Sequence, residues 1–146
     1  CASEDVSNAD PQALVVATQA AQAVERLGMP EARIVLAQAA SYVACAPKSN
    51  SAIMAIDAAM QYVASHPNYR IPSYLQDSHY KGAAKLGHGI GYKYAHSFEN
   101  HYVDQQYLPD EVKNETFYTL SDQGYEKKLK EHLTRMRGRK EAQEHE

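Results

Sequence analysis

The residues with most chemistry to offer crowd into "LGHGIGYKYAH", Leu86–His96, where Gly87, Gly89 and Gly91 alternate among two histidines, two tyrosines and a lysine. Phosphate cradling is one chemistry glycines serve. It needs a Gly-x-Gly-x-x-Gly turn after an apolar strand, or a Gly-x-x-x-x-Gly-Lys-Ser/Thr run whose amides and lysine share the phosphates. Neither occurs in the chain. Asp110–Glu111 has the look of a Walker B acidic pair, but Pro109 precedes it and no buried strand does. The glycines are therefore expected to serve backbone geometry, by adopting positive φ and permitting close approach.

Metal binding would draw on His88, His96 and His101, with Glu99 between them. A zinc site wants three converging ligands, usually two on one rigid element, and these lie at spacings of eight and five on an expected loop, so hydrogen-bonded histidines are the simpler reading. Nucleophilic catalysis has no support: neither Cys1 nor Cys45 has a histidine beside it, and no Gly-x-Ser-x-Gly elbow exists. Nucleic-acid contact has more. Lys81, Lys85 and Lys93 interleave with Tyr80, Tyr92 and Tyr94, the pairing in which bases stack on rings while lysines meet phosphates. Lys127, Lys128, Lys130, Arg135, Arg137 and Arg139 add a basic stretch near the C-terminus.

The elements that would position these residues are mostly helical. The 146 residues suit one domain or one two-lobed unit, and a 44% apolar content supports a core. Asp10 caps a first helix, with Pro11 at its first position and Gly28 past its end; Leu14, Val15, Ala17, Ala21, Val24 and Leu27 form its expected core face. A second helix opens at Pro30 and stops before Pro47, with Ile34, Leu36, Ala37, Ala40 and Val43 or Ala44 inward. A third runs from Ser49–Ser51 to Pro67 with the stripe Ile53, Ile56, Met60 and Val63. Short loops predict antiparallel packing. All three are rich in alanine, which lets helix axes approach but leaves little bulk for a core, so such helices gain from further surfaces, partner subunits included. Cys45, in an alanine-rich run, is expected to be a buried free thiol, which fits a reducing cytosol.

After Pro67 the composition changes, and ten of the eleven tyrosines lie from Tyr62 onward. Short helices are expected at "IPSYLQD", opened by Pro72, and at "SHYKGAAKLG", capped by Ser78 and ended by Gly87. From there to Leu120 the chain reads as an irregular strap held by tyrosines. Ser121 caps a last amphipathic helix lined by Tyr125, Leu129, His132 or Leu133, and Met136, and ended by Gly138. The fold class is mainly α: an alanine-rich helical bundle over 1–66, a Tyr/Gly-rich strap and C-terminal helix packed on it as one unit over 67–138, and a disordered tail over 139–146. Residues 1–65 carry six acids and three bases, and 66–146 carry twelve of each. A balance this near neutral argues against a dedicated nucleic-acid module but leaves a local basic patch. No apolar run is long enough to span a bilayer. The chain opens on Cys and not Met, as expected of a piece of a longer protein.

Several stretches in order carry a resemblance. "ADPQAL", "ERLGMPEARI", "LAQAASYVACAPKSNSA", "HYKGAAKLGHGIGYKY" and "QQYLPD", with "FYTLSDQGYE", make residues 2–133 resemble the C-terminal region of the replication-associated recombination protein A (MgsA) family of AAA+ ATPases. That family is related to the Werner-helicase-interacting ATPase and to clamp-loader subunits. Ala95 and Leu120 depart from it, standing where proline is expected. The resemblance implies a clamp-loader-like collar that holds a homotetramer together, with no catalytic, cofactor or metal residue in this chain. It implies ATP and magnesium bound in an N-terminal ATPase module, and a cytoplasmic parent associated with the nucleoid and replication fork. That parent would be a DNA-dependent ATPase, with single-stranded-DNA-binding protein as a partner and no membrane. For the oligomer interface the aromatic residues Tyr92, Tyr94, Tyr102 and Tyr107 are the expected set. The alternative reading is a DNA-binding module using Lys81, Lys85, Lys93, Lys127, Lys128, Lys130 and Arg135.

Overall fold

Alanines spaced seven apart decide how the first two helices meet. A computed structural model of the chain describes residues 1–77, 79, 81 and 83–143, with the side chains of Ala84 and 139–143 outside the description. Helix α1 (Gln12–Leu27) and helix α2 (Ala32–Cys45) pack on each other along Ala13 and Ala20 on one side and Ala32, Ala39 and, just past α2, Ala46 on the other. The heptad spacing keeps one narrow stripe turned toward the partner helix. Methyl-sized side chains let the two backbones approach closely. The Tyr42 hydroxyl near the end of α2 donates to Asp10 before α1, at 2.9 Å, which fixes the pair as antiparallel. That bond, then burial and the negative charge of Asp10, raise the pKa of the Tyr42 hydroxyl. Asp10 also caps α1, accepting the Gln12 amide at 3.0 Å.

This seam corrects the core faces expected from periodicity. Ala17 and Val24 are half-buried, but Leu14, Val15, Ala21 and Leu27 of α1 are exposed, as are Ile34, Leu36, Ala37, Ala40 and Ala44 of α2. The larger side chains would hold the helices apart, so the alanines take the inside. Cys45 is likewise exposed, not buried, because it follows α2 round to the outer side. Each seam alanine contributes about 0.8 kcal/mol, against about 1.5–3 for a buried leucine or isoleucine. Helix α3 (Ser51–Ser65) does not join the seam, so the three helices are a pair plus one rather than an antiparallel trio.

The chain divides into two compact units, Cys1–Tyr62 with Phe117–Glu146, and Val63–Thr116. The expected division put residues 67–138 together. The last helix, α4 (Gly124–Gln143), instead belongs with the N-terminal unit, and Glu126 in its first turn is the reason. Its carboxylate has no exposed surface. It accepts hydrogen bonds from Ser49 Oγ at 3.0 Å, from Ser51 Oγ, from the Ser121 amide at 2.8 Å and from the Tyr118 hydroxyl at 3.4 Å. The ring of donors continues outward, with Ser7 Oγ 3.4 Å from Ser51 Oγ and Asn8 donating to the Tyr118 hydroxyl at 3.0 Å. Ser121 caps the Gln123 amide at 3.2 Å, so cap and carboxylate support each other like a loosened capping box. Beside them Gly124 sits at φ +50°, where a Cβ would strike the Ala9 carbonyl oxygen and come within 2.8 Å of Pro47 Cγ.

Lys48 closes the same region from the other side. Its ammonium donates to the carbonyls of Val43, Ala44 and Ala46 at 2.7, 3.1 and 2.7 Å, satisfying the end of α2. Past Gly138, expected to end α4, the helix runs on to Gln143. Of the tail expected to be disordered, 144–146 lie outside the described residues. No strand occurs among the described residues.

In the second unit, hydrogen bonds do more than apolar burial. Only Ala83 and Val112 are buried among its described apolar residues. The Tyr74 hydroxyl donates to the Gln106 carbonyl, and the Gln106 side chain spans to Leu108 O at 2.9 Å and Asp110 Oδ1 at 2.8 Å. Single 3₁₀ turns at Ser73–Leu75, Ala83–Leu86, Ala95–Ser97, Glu99–His101 and Asp110–Val112 punctuate it. Ser78, expected to cap a helix here, lies outside the described residues.

Two outcomes follow. Gly124→Ala combines a left-handed backbone with a clash against main chain, and should cost about 2–5 kcal/mol in urea unfolding. For Glu126, desolvation is the largest single effect and pushes its pKa up, but the hydrogen bonds from Ser121, Ser51 and Ser49 together outweigh it and hold it below the ordinary glutamate value. A depressed folded pKa gives stability that is present above the unfolded value of about 4.3 and lost as pH falls through the folded one. Glu126→Gln should therefore be less stable than the parent by about 2–3 kcal/mol at pH 7. The gap should narrow as unfolding is repeated from pH 5 downward; a constant gap across that range would contradict this role.

Candidate assembly surface

Helix α3 carries the stripe Ile53, Ile56, Met60 and Val63, spaced three, four and three. That is the a/d rhythm of a helix that packs against another helix. The sequence-based stripe is therefore real, but it is not the inside of a bundle. Ile56, Met60 and Val63 are 56%, 64% and 65% exposed, and Ile53 is half-buried. The half-buried residues Ala52, Ala55, Ala59 and Tyr62 sit to one side of it, and Tyr62 meets Phe117 edge-on with ring centroids 5.4 Å apart. Asp57 is the one charged residue in α3. Charge therefore presents little obstacle to an apolar partner. Leu14 and Val15 of α1 and Ile34 and Leu36 of α2 add further uncovered apolar side chains on the outside of the alanine seam.

A shallow groove runs between the N-terminal turn and the flank of α2. It has a volume of about 820 Å³ and is lined by Cys1, Val6, Ala40, Val43 and Ala44, with Asp5, Lys48, Ser49 and Asn50 supplying its polar atoms.

The residues singled out in the strap fall as follows. Tyr92, Tyr94 and Tyr107 expose their rings, while Tyr102 is half-buried. Two of the three histidines considered for metal do come together: the His96 and His101 rings lie 5.0 Å apart, and the Tyr94 ring lies 5.1 Å from that of His96. His88 does not join them to form a cluster, and among the described residues no three His, Cys, Asp or Glu side chains converge on a point. Gly87, Gly89 and Gly91 all take positive φ, at 76°, 73° and 87°. Gly87 does so as the C′ residue of a Schellman-type end, where the His88 amide reaches back to the Ala83 carbonyl at 3.1 Å. A Cβ at Gly87 or Gly91 would meet nothing within 4 Å, so backbone conformation alone, not a crowded neighbour, calls for glycine there.

The basic candidates divide between the units. Lys81, Lys85 and Lys93 belong to the second, where the Lys93 ammonium is 3.4 Å from the Asp104 carbonyl and its amide is held by Gln105 at 2.8 Å. Tyr80 lies outside the described residues. Lys127, Lys128, Lys130 and Arg135 belong to the first and are exposed. Lys130 is paired with Asp122 at 2.8 Å, and this bond, with the charges of Lys130 and Lys127, holds the Asp122 carboxyl below its ordinary value. Arg135 stands 3.3 Å from the His132 ring nitrogen.

Sequence reasoning missed Glu126, Ser49, Ser51 and Lys48. Only Glu126, placed five residues after the capping Ser121, left a trace that capping chemistry could have caught. Among the described residues no helix is long and apolar enough to cross a membrane.

Comparison with known proteins agrees with the resemblance seen in the motifs. A protein-family model described as "MgsA AAA+ ATPase C terminal" matches residues 1–137. Replication-associated recombination protein A of Bacillus subtilis (strain 168) is 46% identical over 138 residues, covering 94% of this chain and 33% of that protein. The protein of the same name from Escherichia coli (strain K12) is 39% identical over 133 residues, 90% of this chain and 30% of its own. "ATPase WRNIP1" of Dictyostelium discoideum is 39% identical over 118 residues, 80% of this chain and 14% of its own. The chain thus spans about a third of the length of the bacterial relatives it matches. With nearly all of its residues inside the family model, the chain belongs to the MgsA AAA+ ATPase C-terminal family.

Proposed function

We propose that this chain is the collar of an AAA+ ATPase, holding four copies together so that ATPase modules outside it stand side by side. ATP and magnesium belong to those modules, and the assembled protein acts on DNA in replication-associated recombination, in the cytoplasm at the nucleoid. The observation that carries the reading is the uncovered a/d stripe of α3. Covering each of its exposed side chains with a second copy is worth about 1–2 kcal/mol, and the alanine seam leaves the larger apolar groups of α1 and α2 available to extend the contact. Family membership supports the same reading, since an AAA+ module works next to a neighbour. Tyr92, Tyr94, Tyr102 and Tyr107 are a second set of contacts under this proposal, as aromatic anchors.

Light scattering behind a sizing column, across a concentration series, tests it. The chain should hold a mass of about four copies, the closed symmetric state expected of a collar. Ile56→Glu with Met60→Glu should raise the dissociation constant by at least about 100-fold while far-UV circular dichroism stays unchanged. A single-chain mass at every concentration, or a double variant that assembles like the parent, would contradict the proposal.

A further inference from the structure

Among its described residues, helix α4 is fully buried only in its first turn, at Glu126. Glu126 and Gly124 fix that turn, and Leu129 and Met136 are half-buried beyond it. At 100° per residue, Glu126, Leu129, Leu133 and Met136 share one half of the helix. Lys127, Lys128 and Arg135 fall on the other half and are exposed, whereas Arg137 lies about 20° from Glu126 on the first half. Residues 127–140 carry seven bases and one acid, Glu131. Lys130 is neutralised by Asp122. No acidic side chain lies within ion-pair distance of Lys127, Lys128 or Arg135 among the described residues. Lys127, Lys130, Thr134 and Arg135, with Asp122 and Glu131, line a shallow depression of about 470 Å³ on this side.

We infer that the basic half of α4 binds a nucleic-acid strand through its phosphates, with Lys127, Lys128 and Arg135 as the contact set. An acidic protein partner fits less well. Protein interfaces are depleted in lysine and need apolar anchors at their centre, and this half of α4 offers none. Phosphate binding rewards plain cation density through counterion release. The loop lysines are a poorer site: residues 63–116 hold five bases against six acids. The two stretches that the sequence offered together as a nucleic-acid surface therefore separate, and α4 keeps the role. The inference needs no oligomer, so it stands or falls apart from the collar proposal.

The test is fluorescence anisotropy of a labelled thirty-nucleotide oligo(dT) against the full chain in 50 and 200 mM KCl. With three phosphates neutralised, this fourfold rise in salt should weaken binding about 20-fold. Replacing Lys127, Lys128 and Arg135 together by Gln, a good helix former, should weaken binding at least tenfold in 50 mM KCl and remove most of the salt dependence. Lys81→Gln with Lys85→Gln and Lys93→Gln should bind like the parent. Should the triple variant lose helix by circular dichroism, Lys128→Gln and Arg135→Gln singly decide, each lowering the salt slope by about 0.7. The inference is overturned by no parental binding to oligo(dT) in 50 mM KCl, by unchanged binding in these α4 variants, or by a loss confined to the loop variant. Displacement of the oligonucleotide by an equal charge concentration of polyglutamate would also overturn it, in favour of an acidic protein.

Discussion

A carboxylate with no exposed surface has to be held by donors, and the donors of Glu126 come from two places in the chain, with a third tied on behind them. Ser49 and Ser51 bring the α2–α3 connection, Ser121 and Tyr118 bring the approach to α4, and Ser7 and Asn8 attach the N-terminal turn one bond further out. Removing the carboxylate would strand several buried donors at once, and removing any one donor would leave charge undercompensated. The gap at Gly124 belongs to the same junction, because the Ala9 carbonyl can come so near α4 only where no side chain stands. The first unit is thereby closed by a polar knot where a larger protein would use apolar bulk. The direction in which α4 starts is set by the same knot.

The alanine seam explains why bulk is missing from the inside. Val6, Ala13 and Ala46 form the buried cluster, with Ala2 and Val43 against it. The side chains that could have made a substantial core point away from it: Ile34 and Leu36 on α2, Ile56, Met60 and Val63 on α3. Uncovered apolar side chains in such number mark an interaction surface rather than a finished exterior. A small domain with so little apolar bulk inside stands to gain stability from neighbours, which is the physical ground of the collar proposal.

Much of this was legible in the residues. Asp10, Pro11 and Gly28 bounded α1, Pro47 bounded α2, and the three glycines of "GHGIG" announced positive φ, because each of these signals is local. The faces of α1 and α2 were misread for a reason equally physical. Periodicity says that Leu14 and Ile34 belong to an apolar side, but not whether that side meets this chain or another, and alanine is small enough to hide in either role. Cys45 was misplaced with them. The knot at Glu126 was beyond local reading, since its partners lie 75 and 77 residues away in sequence and serines carry no periodic signal. The candidate assembly surface was half legible: the α3 stripe stood out as a pattern, and only the fold showed it uncovered. Family likeness supplied what neither pattern nor packing could, the kind of protein to which such a surface belongs.

The central claim is that the stripe of α3 is an outside face awaiting a second copy. Two methionines on that one helix test it most directly. Met54 and Met60 are comparably exposed within one chain, 59% and 64%, but Met54 lies more than a third of a turn round the helix from the centre of the stripe. Peroxide oxidation followed by mass spectrometry, at high and at very low protein concentration, would read each sulfur separately. The account predicts that Met60 is protected at high concentration and loses that protection on dilution, while Met54 oxidises at nearly the same rate in both. Met60 and Met54 oxidising alike at every concentration would contradict it.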